Sequence, residues 1–282
     1  MKLTGSLATR DKPMRDYKVK TIRALDRGLE VLTHLHQARA ASLHDLFLAT
    51  NLPKATLTRL IVTLEKRGMV WQRLADGAYM ASHTLQPRAP QLSDENYLVE
   101  LASPVMERLC RKVNWPSVLA VPRLDCMEVI ETNRPKSYFS NVPVGPIGFR
   151  INLLRSATGR AYIAFCSESE RQAMLLRLAA SKESGNYMAR KPAMVERLLD
   201  ETRRLGYGHR TPDFGGHFDQ TRREWDDGRD SIAVPIWVGE EVIASLNLTW
   251  MHKVATVPEM VKTNLPHLTA AAREISMRLV AT

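Results

Sequence analysis

The 282-residue chain is 44% hydrophobic and 25% charged, and it carries a net charge of +10. This composition excludes a disordered, collagen-like or coiled-coil chain, and no apolar run reaches the ~18 residues that a membrane-spanning helix needs. The first residues lack the apolar core of a signal peptide, and three widely spaced cysteines form no CxxC pair, which predicts a cytoplasmic protein without a disulfide framework or zinc finger.

The positive charge is concentrated in the first third of the chain. Residues 1–92 contain 15 Lys and Arg against 7 Asp and Glu, whereas the other 190 residues contain 25 against 23. Such an asymmetry favours a module that binds a polyanion, joined to a nearly neutral module. A basic segment that only aids solubility is the alternative interpretation of the charge alone.

Residues 21–68 carry the pattern of three short helices. The first is indicated by apolar residues at spacings of three and four: Ile22, Leu25, Leu29, Leu32 and Leu35. Ser42 is the predicted N-cap of a second helix, and Asn51, which tolerates a left-handed backbone, predicts a tight turn after it. Pro53 suits the first turn of a third helix.

Two short alternating runs flank Asp76-Gly77 and predict a β-hairpin. Three helices followed by a hairpin in a strongly basic segment is the order of a winged helix-turn-helix, whose third helix enters the major groove of DNA. We therefore predict a DNA-binding domain over residues 21–83, preceded by a basic arm at residues 1–20.

The second half of the chain predicts an α+β domain. Residues 84–102 are predicted to hold a linker, with two prolines and no periodicity, and a linker helix. Strand patterns then mix irregularly with helical ones over residues 97–282, which predicts a mostly antiparallel sheet flanked by helices. The strand patterns lie at 117–121, 127–131, 231–238 and 242–250, and the helical ones at 168–179, 192–205 and 258–279.

The chain resembles the IclR family of transcriptional regulators over roughly residues 20–280. In the first half the resemblance rests on RALDRGL at 23–29 and LPKATLTRL at 52–60. In the second half it rests on SATGRA at 156–161 and SIAVPI at 231–236. Two independent sets of motifs in the right order make the resemblance specific.

Within that family the chain is most similar to activators of aromatic-acid catabolism, among them hydroxyphenylpropionate regulators. The similar segments are NWP at 114–116, AFC at 164–166 and LNL at 246–248. Two positions depart from the family pattern. Asn51 stands where Gly is frequent, and Ala55 stands where Ser is usual, so one hydroxyl for a phosphate contact is absent.

Seven side chains are predicted to contact DNA: Arg23, Arg27, Lys54, Thr56, Thr58, Arg59 and Arg73. The fork of an arginine on the third helix can contact a guanine or a phosphate, and polar groups near the helix N-terminus suit phosphate oxygens. Arg23 and Arg27 on the first helix and Arg73 on the hairpin would add contacts to the DNA backbone or minor groove. A solvated basic helix face is the alternative for each of them.

The resemblance implies a pocket for a small acid in the second domain, lined by Ala157, Thr158, Ser231, Ser245 and Asn247. Polar residues alternate with apolar ones over 244–249, a pattern that alone favours a half-solvated antiparallel strand. Hydroxyl and amide donors in a largely apolar site suit an aromatic or phenylalkyl carboxylate. We expect the turn at Ala157-Thr158 to complete this site, without a buried arginine.

We expect no cofactor, no metal and no enzymatic activity. His209, Asp213, His217 and Asp219 lie in one polar loop, but their spacing matches no compact metal motif. The alternative function, an enzyme that acts on a small organic acid and carries a basic module, lacks any acid, base and nucleophile constellation.

The expected partners are an effector, a pseudo-palindromic DNA operator and a second copy of the chain, with a pair of dimers allowed by the resemblance. Two recognition helices must span two half-sites about one helical turn, ~34 Å, apart. The candidate for part of the dimer contact is the segment 84–102 together with an apolar stripe after the linker: Leu98, Leu101, Val105 and Leu109.

Overall fold

The computed structural model describes residues 22–82, 95–135, 142–216 and 218–280. A helical N-terminal part ends in a two-stranded hairpin, and a larger part, the C-terminal domain, is built on a six-stranded sheet. The predicted α+β class is confirmed. The predicted basic arm and most of the predicted linker, residues 84–94, lie outside the described residues.

The N-terminal part consists of α1 Arg23–Ala38, α2 Leu43–Thr50, α3 Lys54–Lys66, β1 Val70–Gln72 and β2 Tyr79–Ala81. Ser42 and Asp45 form a capping box on α2, in which each side chain accepts a hydrogen bond from the backbone N–H of the other. Asn51 ends α2 in the predicted left-handed conformation, with φ at 53°. The turn between α2 and α3 is therefore tight.

The outer face of α1 differs from the prediction. Its apolar spacing predicts one buried stripe, yet Ile22, Leu25 and Leu29 are 69%, 58% and 52% exposed. The last two residues of the predicted stripe do pack inwards: Leu35 is buried and Leu32 is partly buried, and they join Val31 and side chains of α2 and α3 in the core. A row of three apolar side chains is left on the surface of α1.

The sheet of the C-terminal domain is antiparallel, with strands in the order β5-β4-β3-β8-β7-β6. The strands are β3 Ser117–Pro122, β4 Cys126–Asn133, β5 Arg150–Asn152, β6 Gly208–His209, β7 Arg229–Val238 and β8 Glu241–Met251. The helices are α4 Glu95–Val113, α5 Ala157–Phe165, α6 Glu168–Ala180, α7 Pro192–Leu205 and α8 Val257–Val280, with a 3-10 helix at Ser184–Arg190.

Different helices cover the two faces of the sheet. Helices α4 and α8 pack on one face, and α5, α6 and α7 cover part of the other. Leu98, Val105 and Leu109 of α4 are buried in the core of the same chain. These three residues are therefore not available for the predicted dimer contact, because the sheet beneath α4 already covers them.

Candidate functional sites

Helix α3 presents a polar face on the surface of the N-terminal part. Leu57 and Ile61 are buried on its inner side, whereas Lys54, Thr58 and Arg59 are exposed on the outer side. The Thr58 hydroxyl donates to the Lys54 carbonyl at 2.9 Å, which leaves its oxygen as an acceptor. Thr56 is half-buried in the first turn. The structure thus brings four of the predicted DNA-contacting side chains to one end of one helix.

The other three predicted DNA contacts lie in two places. Arg23 and Arg27 are exposed one turn apart on α1. Arg73 lies in the turn between β1 and β2, where its Nη2 and Nε atoms donate to the two carboxylate oxygens of Asp76 at 2.6 and 3.0 Å. This hydrogen-bonded pair lowers the pKa of Asp76. The pair uses two of the five N–H donors of the guanidinium, and three remain for a contact with DNA.

A cavity of about 240 Å³ lies on the sheet face opposite α4 and α8. One of its walls is apolar and is formed by Val118, Val129, Val144, Phe149 and Ile151. The adjoining wall, towards β7, β8 and the start of α5, is polar and is formed by Ser156, Thr158, Ser231, Asn247 and Thr249. A cavity of roughly 150 Å³ holds benzene, so this volume accommodates an aromatic ring with a small polar substituent.

Strand alternation and pairing line up the polar wall. Leu246 and Leu248 of β8 point into the core under α4 and α8, so Asn247 and Thr249 face the cavity. Thr249 pairs with Ser231 on β7, and Asn247 pairs with Val118 on β3. The apolar face of β8 is therefore covered by helices, and its polar face lines the cavity and is not a solvated surface of the sheet.

Asn247 fixes the start of α5 to the sheet. Its Oδ1 accepts a hydrogen bond from the Val118 N–H at 2.9 Å, and its Nδ2 donates to the Thr158 hydroxyl oxygen at 3.2 Å. An amide has two N–H donors, so one remains for a ligand. Asn247 therefore has a structural role in addition to the predicted binding role.

Two hydroxyls of the polar wall are available to a ligand. Among the described residues, no group forms a hydrogen bond with the side-chain hydroxyl of Ser231 or Thr249, and both residues are largely buried. Backbone N–H groups at the N-terminus of α5 add a third source of donors, since Ser156 caps this helix and lines the cavity. Donors at a helix N-terminus favour anions.

The segment Ala157-Thr158 is the first turn of α5, not the turn predicted from sequence. Ala157 does not line the cavity and packs against Ala161 and Ala233 instead. Ser245 does not line it either. Its hydroxyl is completely buried and has no hydrogen-bond partner among the described residues. Of the five predicted effector contacts, the cavity brings together Thr158, Ser231 and Asn247.

Two arginines and one aspartate complete the lining, and sequence reasoning missed them. Asp227 lies between Arg210 and Arg229, with nitrogen–oxygen distances of 3.1 and 2.8 Å. Arg210 is largely buried, which lowers its pKa, and its Nε atom has no partner among the described residues. One carboxylate between two guanidinium groups leaves net positive charge on this wall. Hydroxyls and an amide were the only groups expected to hold a carboxylate, and these arginines are additional candidates in the lining.

Gly216 is required for this charged wall. Its φ is 99°, and a Cβ atom would lie 1.8 Å from an Asp227 carboxylate oxygen. Any side chain at this position would displace Asp227 from between the two arginines. In the sequence these residues appear only as the charged run DDGRD at 226–230 and the two glycines at 215–216, which do not reveal that they meet at a cavity.

The expectation that the loop of His209, Asp213, His217 and Asp219 holds no metal can be checked only in part, because His217 lies outside the described residues. Among the residues that the structure does describe, no group of three or more His, Cys, Asp and Glu side chains could hold a metal ion. Over the same ranges, none of the helices combines the length and the apolar character needed to cross a membrane.

Two family models match the chain and cover both parts of the fold. The IclR helix-turn-helix domain matches residues 24–74, and the bacterial transcriptional regulator IclR C-terminal domain matches residues 91–277. The chain belongs to the IclR family. This IclR-family protein is a DNA-binding transcriptional regulator, and the alternative of an enzyme with a basic module is excluded.

Curated relatives and solved structures agree with this assignment. The HTH-type transcriptional regulator XynR of Escherichia coli (strain K12) is 25% identical over 230 residues, 81% of this chain and 86% of that protein. The regulator BhcR of Paracoccus denitrificans (strain Pd 1222) is 25% identical over 68% of this chain and 69% of its own length.

The fold of this IclR-family chain matches two solved structures with moderate scores. The Thermotoga maritima IclR gives a TM-score of 0.52 at 18% identity, over 92% of this chain and 99% of that one. An IclR homolog from Microbacterium hydrocarbonoxydans, complexed with 4-hydroxybenzoate, gives 0.51 at 23% identity, over 92% of this chain and 100% of that one. These likenesses establish the shared fold.

Proposed function

We propose that this IclR-family regulator controls transcription in response to a small aromatic or phenylalkyl carboxylate that binds the cavity of its C-terminal domain. The observation that carries the proposal is the division of the cavity into an apolar wall and a polar, positively charged one. An aromatic acid has the same two ends. We place the protein in the cytoplasm and its role in aromatic-acid catabolism.

We assign each end of the ligand to one wall of the cavity. The ring packs on Val118, Val129 and Phe149, whose apolar surfaces face the cavity. The carboxylate lies near Arg229 and Ser231, which share one face of β7 because they are two residues apart. A fold relative that binds 4-hydroxybenzoate supports an aromatic acid of this size.

The N-terminal part supplies the DNA contacts under this proposal. Residues 21–83 form the DNA-binding domain and residues 97–282 the effector-binding domain, and α3 enters the major groove with Lys54, Thr56, Thr58 and Arg59. Arg23, Arg27 and Arg73 add contacts to the DNA backbone or minor groove. Two copies of the chain occupy a pseudo-palindromic operator, so the exposed row on α1 becomes part of the contact between them.

A thermal-shift panel on the full-length protein tests the ligand class. The panel contains 4-hydroxybenzoate, 3-(4-hydroxyphenyl)propionate, pyruvate and glyoxylate. A ligand at 100 times its dissociation constant stabilises the protein by ~2.7 kcal/mol, which raises the Tm of a domain of this size by roughly 5–10 °C. We expect this shift with at least one aromatic acid. A shift with pyruvate or glyoxylate alone would contradict the proposal.

A further inference from the structure

The turn of the hairpin, residues 73–76, is docked on the C-terminal domain by a buried carboxylate. Glu131 of β4 is completely buried. Its Oε2 accepts a hydrogen bond from the Leu74 N–H at 3.1 Å, and its Oε1 accepts one from the Ala75 N–H at 2.9 Å. Leu74 also packs against the core under α4. The hairpin, called the wing below (residues 70–81), is thus held at its tip.

A β-bulge in β4 aims Glu131 at the wing. Leu119 pairs with Glu131 and its neighbour Ala120 pairs with Val129, so Ile130 is an extra residue in this strand. Side chains alternate between the two faces of a strand, so residues two apart normally point to the same face. Without the bulge, Glu131 would therefore point to the same face as Val129. With it, Val129 lines the cavity while Glu131 points to the α4 face, two residues along the same strand.

The carboxylate of Glu131 is buried without a cation bonded to it among the described residues. Its other partners are the Thr132 N–H at 2.8 Å and the Ser103 hydroxyl at 3.2 Å. Burial raises the pKa of Glu131 despite these four hydrogen bonds. A buried carboxylate is costly to a fold, and here half of its hydrogen bonds go to the wing.

The wing offers Glu131 the same groups that it would offer DNA. Consecutive backbone N–H groups in a turn bind anions, and phosphate oxygens are frequent acceptors for backbone N–H donors in protein–DNA complexes. The Leu74 and Ala75 N–H groups donate to Glu131, and two of the five N–H donors of Arg73 donate to Asp76. The carboxylates of Glu131 and Asp76 therefore bind donors of the wing that could bind a DNA phosphate.

We propose that Glu131 is a latch that holds the wing on the C-terminal domain and withholds its turn from DNA. Binding of the wing to DNA requires this contact to open. Because Val129 lies in the same strand and lines the cavity, the effector of the proposed function acts on the latch through β4. The contact is a regulatory positioning device between the two domains.

The test compares Glu131→Gln with Glu128→Gln in the full-length protein. Glu128 is the matched control, since it lies in the same strand but pairs with Arg123 and does not hydrogen-bond the wing. Glu131→Gln replaces one carboxylate oxygen with an NH₂ group, which cannot accept a hydrogen bond from the backbone N–H group that it faces. We expect hydrogen exchange at the Leu74 and Ala75 amides to rise at least tenfold in Glu131→Gln and to stay at the wild-type rate in Glu128→Gln.

DNA binding provides the second readout, on the protein's own upstream DNA. We expect Glu131→Gln to bind it several-fold more tightly than wild type, with a salt dependence steeper by about one phosphate contact. Leu74→Ala loosens the latch from the wing side, so the same direction of change is expected if Glu131→Gln folds poorly. Unchanged wing exchange, or weaker DNA binding in both variants, would overturn the latch.

Neither readout contains an effector, so a failure of the latch is separable from a failure of the proposed ligand class. A final arm adds 4-hydroxybenzoate at a concentration that saturates its thermal shift. The latch predicts a change in wing exchange in the wild type and none in Glu131→Gln. An equal change in both proteins would contradict coupling through Glu131.

Discussion

Ser231 and Ser245 are buried serines on neighbouring strands, but only Ser231 lines the cavity. Position along the sheet, not residue type, separates them. Position also determines the role of Asp227. Ion pairs with Arg210 and Arg229 place this loop carboxylate in a cavity wall of net positive charge. At the residue scale, the candidate site is therefore defined by which side chains reach one cavity of the described structure.

This difference yields a matched pair of substitutions. Ser231→Ala removes a hydroxyl that a carboxylate can accept from, which should reduce the affinity for the best aromatic acid about tenfold, or ~1–1.5 kcal/mol. Ser245→Ala removes a buried hydroxyl without a described partner and should leave the affinity unchanged. Isothermal titration calorimetry measures both. Equal losses in the two variants would mean that the cavity is not the binding site.

At the scale of elements, helix periodicity and turn residues were good predictors where an element has one buried face. The capping box at Ser42, the left-handed Asn51 and four main strands followed from local chemistry. Helix α5 could not be predicted in this way, because residues 157–164 are all buried and an all-round buried helix has no amphipathic period. The strands β5 and β6 are too short for a pattern.

Only part of the candidate effector site could be predicted, because some of its residues become neighbours only in the folded structure. Thr158, Ser231 and Asn247 followed from the family resemblance, whereas Arg210 and Arg229 come from segments that meet only in the folded sheet. The burial of a guanidinium beside an aspartate depends on tertiary packing around Gly216. The apolar spacing of α1 likewise could not reveal which of its two apolar rows faces the core.

The capping box makes the stability of the N-terminal part depend on pH. Hydrogen bonds from Ser42 lower the pKa of Asp45, so the stabilisation is present above the usual carboxyl pKa and is lost as the pH falls through the lowered value. Asp45→Asn should therefore lower the Tm at pH 7 and have little effect at pH 3. Circular dichroism melts at both pH values test this. An equal decrease at pH 3 would contradict the assigned charge.

At the scale of the whole molecule, the exposed row on α1 predicts the oligomeric state. Replacing Leu25 and Leu29 with Ser removes two apolar side chains that are more than half exposed. The double variant should shift the protein towards the 31.9 kDa monomer in light scattering, while the wild type gives twice that mass. Leu48→Ser is the control, since Leu48 is equally exposed on α2. A monomeric wild type would contradict the proposed dimer.

The central claim is that an acid bound in the cavity of the C-terminal domain controls the affinity of helix α3 for DNA. Its most direct test is a fluorescence anisotropy titration of the upstream DNA with full-length protein, repeated with increasing aromatic acid. The affinity for DNA should change over the range in which the acid binds the cavity, since coupling between two sites is reciprocal. The same change should need about tenfold more acid in Ser231→Ala, and Arg59→Ala should weaken DNA binding without the acid. A DNA affinity that stays constant at saturating acid would contradict the account.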